Sequence, residues 1–252
     1  MSINADKIIA VRTGKTVYKD RDTVLKVFDE SYTQSHVLYE ALNQTQVREV
    51  GLQVPKVLEV INLDGKWAIR SEYVAGKTLQ RLMEENPEKF DEYFDLFLDI
   101  QLEISSKETR LLTDLKGEMN RIILNSSLEA TVRYELHTRL INMPSHTTVC
   151  HGDFNPSNII IRDDGSHSIL DWSHATQGNA AADIALTYLW FQLKGHGELS
   201  EKYLDLYCKK TETDRNFVKQ WIPIVAASQS VEETPKNREL LLKWVNFVDN
   251  EA

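Results

Sequence analysis

The chain has 252 residues, 42% of them hydrophobic and 27% charged, with a formal net charge of −9. That supplies enough apolar material for one two-lobed domain or two modest ones, and the interspersed pattern excludes a disordered or low-complexity chain. The acidic balance excludes the Lys and Arg surplus with which a nucleic-acid binder displaces phosphate counterions; it suits a cationic ligand, and equally serves plain solubility.

From Met1 to Lys7 there is neither the basic segment nor the apolar run of a secretory signal, and no later stretch is long enough to span a bilayer, so the expectation is a cytoplasmic protein without a membrane partner. Ile8 to Val11 and Thr23 to Phe28 read as strands, separated by Thr13-Gly14-Lys15 and the charged turn Lys19 to Asp22. Between Thr33 and Val50, Leu38, Ala41, Leu42 and Val47 recur at near-helical spacing, and Gly51 provides the stop. Val57 to Ile61 and Trp67 to Tyr73 are further strands, and Asp64-Gly65 between them favours a tight hairpin turn.

A shift at Val74-Ala75-Gly76 divides the chain into 1–74 and 75–252. Thr78 to Met143 is helical in pattern, with Phe94, Phe97, Leu98 and Leu102 sharing a face. Short strands return at Thr147 to Cys150, Asn158 to Ile161 and Ser168 to Leu170, before helices over Ala180 to Leu193, Glu198 to Trp221 and Arg238 to Val248. The two cysteines, Cys150 and Cys208, have no metal-ligand spacing, which suits a reducing compartment.

Chemistry concentrates in His151-Gly152-Asp153-Phe154-Asn155-Pro156-Ser157-Asn158, an aliphatic hairpin, and Asp171-Trp172. Phosphoryl transfer needs an acceptor for the attacking hydroxyl's proton, cations on the phosphates, and in-line positioning. Asp153, on a turn after a strand, fits the first task. Magnesium takes one or two protein oxygens and completes its shell with phosphates and water; Asn158 and Asp171 supply such oxygens, and the hairpin between them returns the chain so that they meet.

These residues resemble the motif of the kinase-like small-molecule phosphotransferases, the family of aminoglycoside phosphotransferases and choline kinases: His-Gly-Asp, two residues, Pro, one residue, Asn, and later Asp-Trp. The resemblance implies an α+β, bilobal protein-kinase-like fold, with an antiparallel sheet and one helix in the N-lobe, a mainly helical C-lobe carrying a small catalytic hairpin, and ATP held between the lobes. It implies Asp153 as catalytic base, Asn158 and Asp171 as magnesium ligands, and His151 as a loop-ordering residue. The family pairs a strand lysine with a helix glutamate; Lys26, in the otherwise apolar Val24 to Phe28, is the expected lysine, and Glu40 its partner, with Glu49 at the helix end as the alternative.

A phosphate-covering turn is expected at Gly14, where a single glycine replaces a Gly-rich run. Gly14-Lys15-Thr16 is no P-loop, because the glycine required five positions earlier is Ile9. Glu72 and Val74 occupy the interlobe position whose backbone meets adenine in the family, and that analogy alone favours ATP over GTP. Gly178-Asn179-Ala180-Ala181-Ala182-Asp183 resembles the family's Gly-Asp-Pro-x-x-Asp, with Asp183 expected to brace the catalytic loop.

For the acceptor, a small and suitably cationic hydroxyl compound, Trp172 and His174 are the first candidates. Glu198, Glu201, Asp205, Glu232 and Glu233, with Tyr188, Trp190 and Trp221, stand behind them. The competing readings are a protein Ser/Thr kinase, disfavoured because Asp171-Trp172-Ser173 lacks the glycine of an Asp-Phe-Gly segment, and a silent nucleotide-binding scaffold.

Overall fold

The computed structural model describes residues 7–231 and 233–245. The segment before Lys7, the candidate carboxylate Glu232 and the end of the last expected helix, 246–248, lie outside the described residues. The fold is mixed α+β and divides into two compact units: residues up to Phe90 with Pro156–His174, and Asp91–Asn155 with Ala175 onward.

In the first unit, strands β1 (Lys7–Arg12), β2 (Lys15–Asp20), β3 (Thr23–Phe28), β4 (Val57–Leu63) and β5 (Lys66–Glu72) form an antiparallel sheet in the order β1-β2-β3-β5-β4. Thr13-Gly14 makes the two-residue β1–β2 turn, with Gly14 at φ 69°. Asp64 and Gly65 both take positive φ at the β4–β5 turn, as an Asp-Gly hairpin of mirror-image twist requires. Helix α1 (Gln34–Glu49) opens on a capping box in which Thr33 Oγ1 accepts from His36 N and His36 Nδ1 accepts from Thr33 N.

Helix α1 differs from expectation in which face it buries. Leu38 and Leu42 are 45% and 51% exposed, whereas Val37, Glu40, Ala41, Asn43 and Val47 are buried. Two effects set this rotation. Val37 and Ala41 join Phe28 and Ile69 in an apolar cluster, and the polar Glu40 and Asn43 find partners on the same side, Asn43 Nδ2 donating to Trp172 O at 3.3 Å.

The chain then forms β6 (Lys77–Thr78) and helix α2 (Leu79–Glu85), capped by Thr78. β6 pairs with the strand Ile159–Ile161, itself paired antiparallel with His167–Ile169. Gly76 allows this approach, since a Cβ there would stand 2.3 Å from Ile161 O. Leu170 N donates to Asn158 O at 2.8 Å, so the hairpin delivers Asp171 beside Asn158.

The second unit is built from helices α3 (Phe90–Ser105), α4 (Leu115–Leu124), α5 (Ala130–Asn142), α6 (Ala180–Leu193), α7 (Gly197–Thr211), α8 (Arg215–Gln229) and α9 (Pro235–Val245). A small sheet places Thr176–Gly178 between Thr113–Asp114 and Thr148–Cys150. Helix α6 is apolar and buried nearly all round, as a central helix must be. Phe97 stacks on Phe154 at 4.7 Å, anchoring the chain beyond Asp153 to α3. The stretch read as one helix from Glu198 to Trp221 is two, because Glu212 turns left-handed at φ 57° and Asp214 caps α8. Among the described residues no helix is long and apolar enough to cross a membrane.

Candidate active site

In the first unit, β3 is antiparallel to β2 with Lys26 opposite Val17 and Phe28 opposite Lys15, so Lys15, Lys26 and Phe28 share one face of the sheet. Glu40 comes onto that face from α1. Lys26 Nζ donates to Glu40 Oε1, and at 2.8 Å to Asp171 Oδ1. Glu49, the alternative partner, is exposed at the end of α1. Lys15, to which the sequence assigned only a turn position, is a second cation in the cluster: its Nζ is 3.0 Å from Glu40 Oε2 and 4.0 Å from Asp171 Oδ1.

Burial works to lower the pKa of Lys26, but the carboxylates of Asp171 and Glu40 outweigh it and the result lies above the ordinary 10.5. The ammonium is therefore fully charged at neutral pH. Asp171 has φ 62°, in the left-handed region that a non-glycine residue seldom occupies, and its Oδ1 also accepts from Ser173 Oγ at 3.2 Å.

A cavity of about 840 Å³ opens on this face, large enough for a nucleotide. Ile9, Val11, Val17, Val24 and Ile69 supply apolar lining, and Lys26, Glu40, Asn158 and Asp171 are among its polar lining. Glu72 and Val74 line it too. The Glu72 and Tyr73 N–H groups already donate to Lys56 O and Asp22 O, each at 3.0 Å. Gly14 does not reach the lining; its carbonyl accepts from Asp29 N at 2.9 Å, and the Tyr32 ring occupies the space a Cβ would need.

In the second unit, Asp183 of α6 accepts from two successive loop amides, His151 N at 3.1 Å and Gly152 N at 2.8 Å. Gln101 of α3 donates to Asp183 Oδ2 at 3.3 Å and in turn accepts from Tyr203, while Thr187 donates to Phe154 O at 3.1 Å. This buried network fixes the loop at both ends. His151 is wholly buried and its Nδ1 accepts from Asp153 N at 3.3 Å. Asn155, which the sequence did not single out, donates from Nδ2 to Asp153 O at 3.1 Å and to Asp153 Oδ1 at 3.2 Å.

The matching family model, "APH: Phosphotransferase enzyme family", covers residues 11–221. The chain belongs to the phosphotransferase enzyme family. Among solved structures, a thermostable mutant of aminoglycoside phosphotransferase APH(4)-Ia in ternary complex with AMP-PNP and hygromycin B has a TM-score of 0.70 at 14% identity, over 96% of this chain and 92% of that one. Aminoglycoside-3'-phosphotransferase of type VIII gives 0.62 at 16% identity, covering 85% and 88%. Choline kinase LicA from Streptococcus pneumoniae gives 0.59 at 17%, covering 94% and 90%. At these identities the likeness is one of fold. No curated protein sequence matches the chain.

Within this phosphotransferase, several residues expected near an acceptor have other employment. Trp172 is a core residue, wholly buried with its Nε1 donating to Ile169 O at 3.1 Å, so it has no ring face to offer a substrate. Trp221 is likewise buried. Glu201 and Asp205 both pair with Arg215, and Glu201 accepts from Tyr188 OH at 2.6 Å. His174 is exposed. Among the described residues no three His, Cys, Asp or Glu side chains cluster as a metal site. Asn158 and Asp171 both line the cavity and both carry side-chain oxygens, the donor type that suits a hard cation.

Proposed function

We propose that this phosphotransferase moves the γ-phosphoryl group of ATP, as its magnesium complex, to a hydroxyl of a small molecule. The observation that carries this reading is that Lys26, paired with Glu40 and Asp171, lines a cavity of nucleotide size together with Asn158. In it the first 74 residues serve mainly to hold nucleotide, and the remainder supplies the transfer loop and the acceptor site.

Lys26, held by Glu40, donates to the nucleotide's phosphates. Asn158 and Asp171 would hold Mg2+, which when bound neutralises phosphate charge as the leaving oxygen develops it. The Glu72 carbonyl and the Val74 N–H are the backbone groups proposed to meet adenine, the neighbouring Glu72 and Tyr73 amides being engaged already. Asp153 accepts the acceptor hydroxyl's proton as its oxygen attacks the γ-phosphorus and the bond to the β-bridging oxygen breaks, giving ADP and a phosphate ester. Asn155 and His151 hold Asp153 in place.

Two facts support the proposed acceptor class: structural neighbours include aminoglycoside phosphotransferases and a choline kinase, and the chain carries a net charge of −9. Amino sugars and amino alcohols are the compounds to expect, with the exposed His174 on the acceptor side, in a cytoplasm that supplies ATP.

Magnesium-dependent ADP release, measured with amino sugars, amino alcohols, neutral sugars and a protein substrate, tests the proposal. Phosphorylated amino compounds are the expected product. Transfer only to protein hydroxyls, or nucleotide binding without transfer to any acceptor, would refute it.

A further inference from the structure

The turn between β1 and β2 carries one glycine, and that glycine is pinned. Its carbonyl accepts from Asp29 N, and a Cβ at Gly14 would stand 2.7 Å from Tyr32 Cε2, so the Tyr32 ring packs directly on the turn. A backbone held this way has little freedom to wrap its amides around phosphates. The next residue, Lys15, lies on the cavity-facing side of the sheet beside Lys26.

We propose that Lys15 is a second phosphate-binding lysine of the nucleotide site, a conclusion that rests on the function proposed above. Its side chain is only 9% exposed and stands behind Glu40 and Asp171, which form the cavity wall. The groups facing it are Glu40 Oε2 at 3.0 Å, Asp171 Oδ1 at 4.0 Å, and the rings of Phe28 and Tyr32, whose centroids lie 5.4 and 5.3 Å from Nζ. An ammonium on a four-carbon stem can exchange one oxygen partner for another by rotamer change, where a backbone amide cannot.

Charge counting gives the reason for a second lysine. As the cluster stands, Lys15 and Lys26 balance Glu40 and Asp171. With Asp171 given to a divalent metal, Lys26 and Glu40 alone would cancel, and the phosphates would meet no positive charge beyond that of the metal itself. With Lys15 present, two cations face one carboxylate, and the surplus charge meets the triphosphate. Side-chain charge thereby replaces the backbone amides that a Gly-rich loop would provide.

A structural role for Lys15 and a phosphate-binding role separate in the choice of ligand. Calorimetric titration of the full chain, and of its Lys15→Met and Lys15→Arg variants, with Mg-ATP, AMP and adenosine is the test. Lys15→Met is expected to weaken Mg-ATP by about tenfold or more, with adenosine unchanged within about twofold; Lys15→Arg is expected to retain most of the Mg-ATP affinity. Equal weakening of Mg-ATP and adenosine, or no change in either, overturns the assignment while leaving the proposed function standing. A wild-type chain that binds no nucleotide removes both. Should Lys15→Met not fold, an acyl-phosphate derivative of ATP applied to the wild type reads the same contact, by acyl transfer to the lysine nearest the terminal phosphates. Labelling of Lys15 that Mg-ATP suppresses and adenosine does not supports the assignment, and labelling confined to Lys26 overturns it.

Discussion

Lys26 Nζ stands 2.8 Å from Asp171 Oδ1 while the same ammonium also holds Glu40, so one strand lysine joins helix α1 to the chain just past the Ile159–Ile169 hairpin. Asp171 meets this lysine from a left-handed backbone conformation, at φ 62°. A carboxylate placed at conformational cost and given to a lysine has a partner it can exchange for a divalent cation, as the proposed magnesium role requires.

Asp171→Ala is therefore expected to abolish the magnesium dependence of nucleotide binding. Affinity for metal-free nucleotide should hold or rise, because Lys26 loses a competitor for the phosphates. Calorimetry with ATP, with and without magnesium, checks this. A variant whose affinity still rises with magnesium as the wild type's does would remove Asp171 from the metal site.

Asp153→Asn is expected to lower kcat by roughly 10²- to 10⁴-fold, the usual contribution of a general base, with nucleotide KM changed less than about threefold. Asn155→Ala should lower kcat by about tenfold, because Asn155 Nδ2 lies 3.2 Å from the Asp153 carboxylate and orients it. Since the second residue acts through the first, the double variant should be no slower than Asp153→Asn alone. Steady-state kinetics of the three variants decide it; additive losses would mean that Asn155 acts independently of Asp153.

Much of the element order was legible because it is local. The Asp64-Gly65 turn, the Gly51 stop and the Phe94-Phe97-Leu98 face each announce themselves within one turn or hairpin. What escaped depends on distant partners. The 3.6-residue period identified α1 as a helix, but choosing Val37 over Leu38 for the buried face needs Phe28 and the two lysines that hold Glu40. Two-residue strands such as Lys77–Thr78 are too short to show alternation at all. Trp172 adjoins Asp171 in sequence, yet Asp171 takes a left-handed turn at φ 62° and the Trp172 ring goes to the core, a divergence that sequence adjacency does not show. Lys15 carried no sequence signal beyond its hairpin register, which places it on the same sheet face as Lys26.

Asp183 is the residue on which the transfer loop hangs. It is 3% exposed and accepts from His151 N, Gly152 N and Gln101 Nε2. Asp183→Ala would take this acceptor from the buried His151 amide, at roughly 1–3 kcal/mol, and from the partly buried Gly152 amide at less. Urea denaturation should show a midpoint lowered accordingly, with activity lost even where the fold persists. A variant as stable and as active as the wild type would refute the bracing role. Nearby Cys150 offers an independent probe: burial, with Asp183 close by, raises its thiol well above the ordinary range, so it should resist alkylation in the native wild type and become reactive when this unit loosens.

The partly buried Lys26 also predicts a pH profile for stability. Lys26 has a folded pKa above its ordinary 10.5, since Asp171 and Glu40 outweigh the desolvation that acts to lower it. A raised lysine pKa means that the folded state holds the proton more tightly than the unfolded chain, so the stabilisation is fully present below 10.5 and is lost as pH climbs through the folded value. Lys26→Met removes that contribution while keeping a side chain suited to an apolar strand. The stability difference between wild type and Lys26→Met, from denaturant titrations, should be flat from neutral pH to about one unit below the ordinary lysine value and shrink above it. Removing one member of a buried ion pair typically costs about 3–5 kcal/mol, but here Lys15 stays beside Glu40 at 3.0 Å and the loss should fall below that range. A difference that instead grows with rising pH would show that Lys26 is held in its neutral form, and the cation assigned to the phosphates would have to be sought elsewhere.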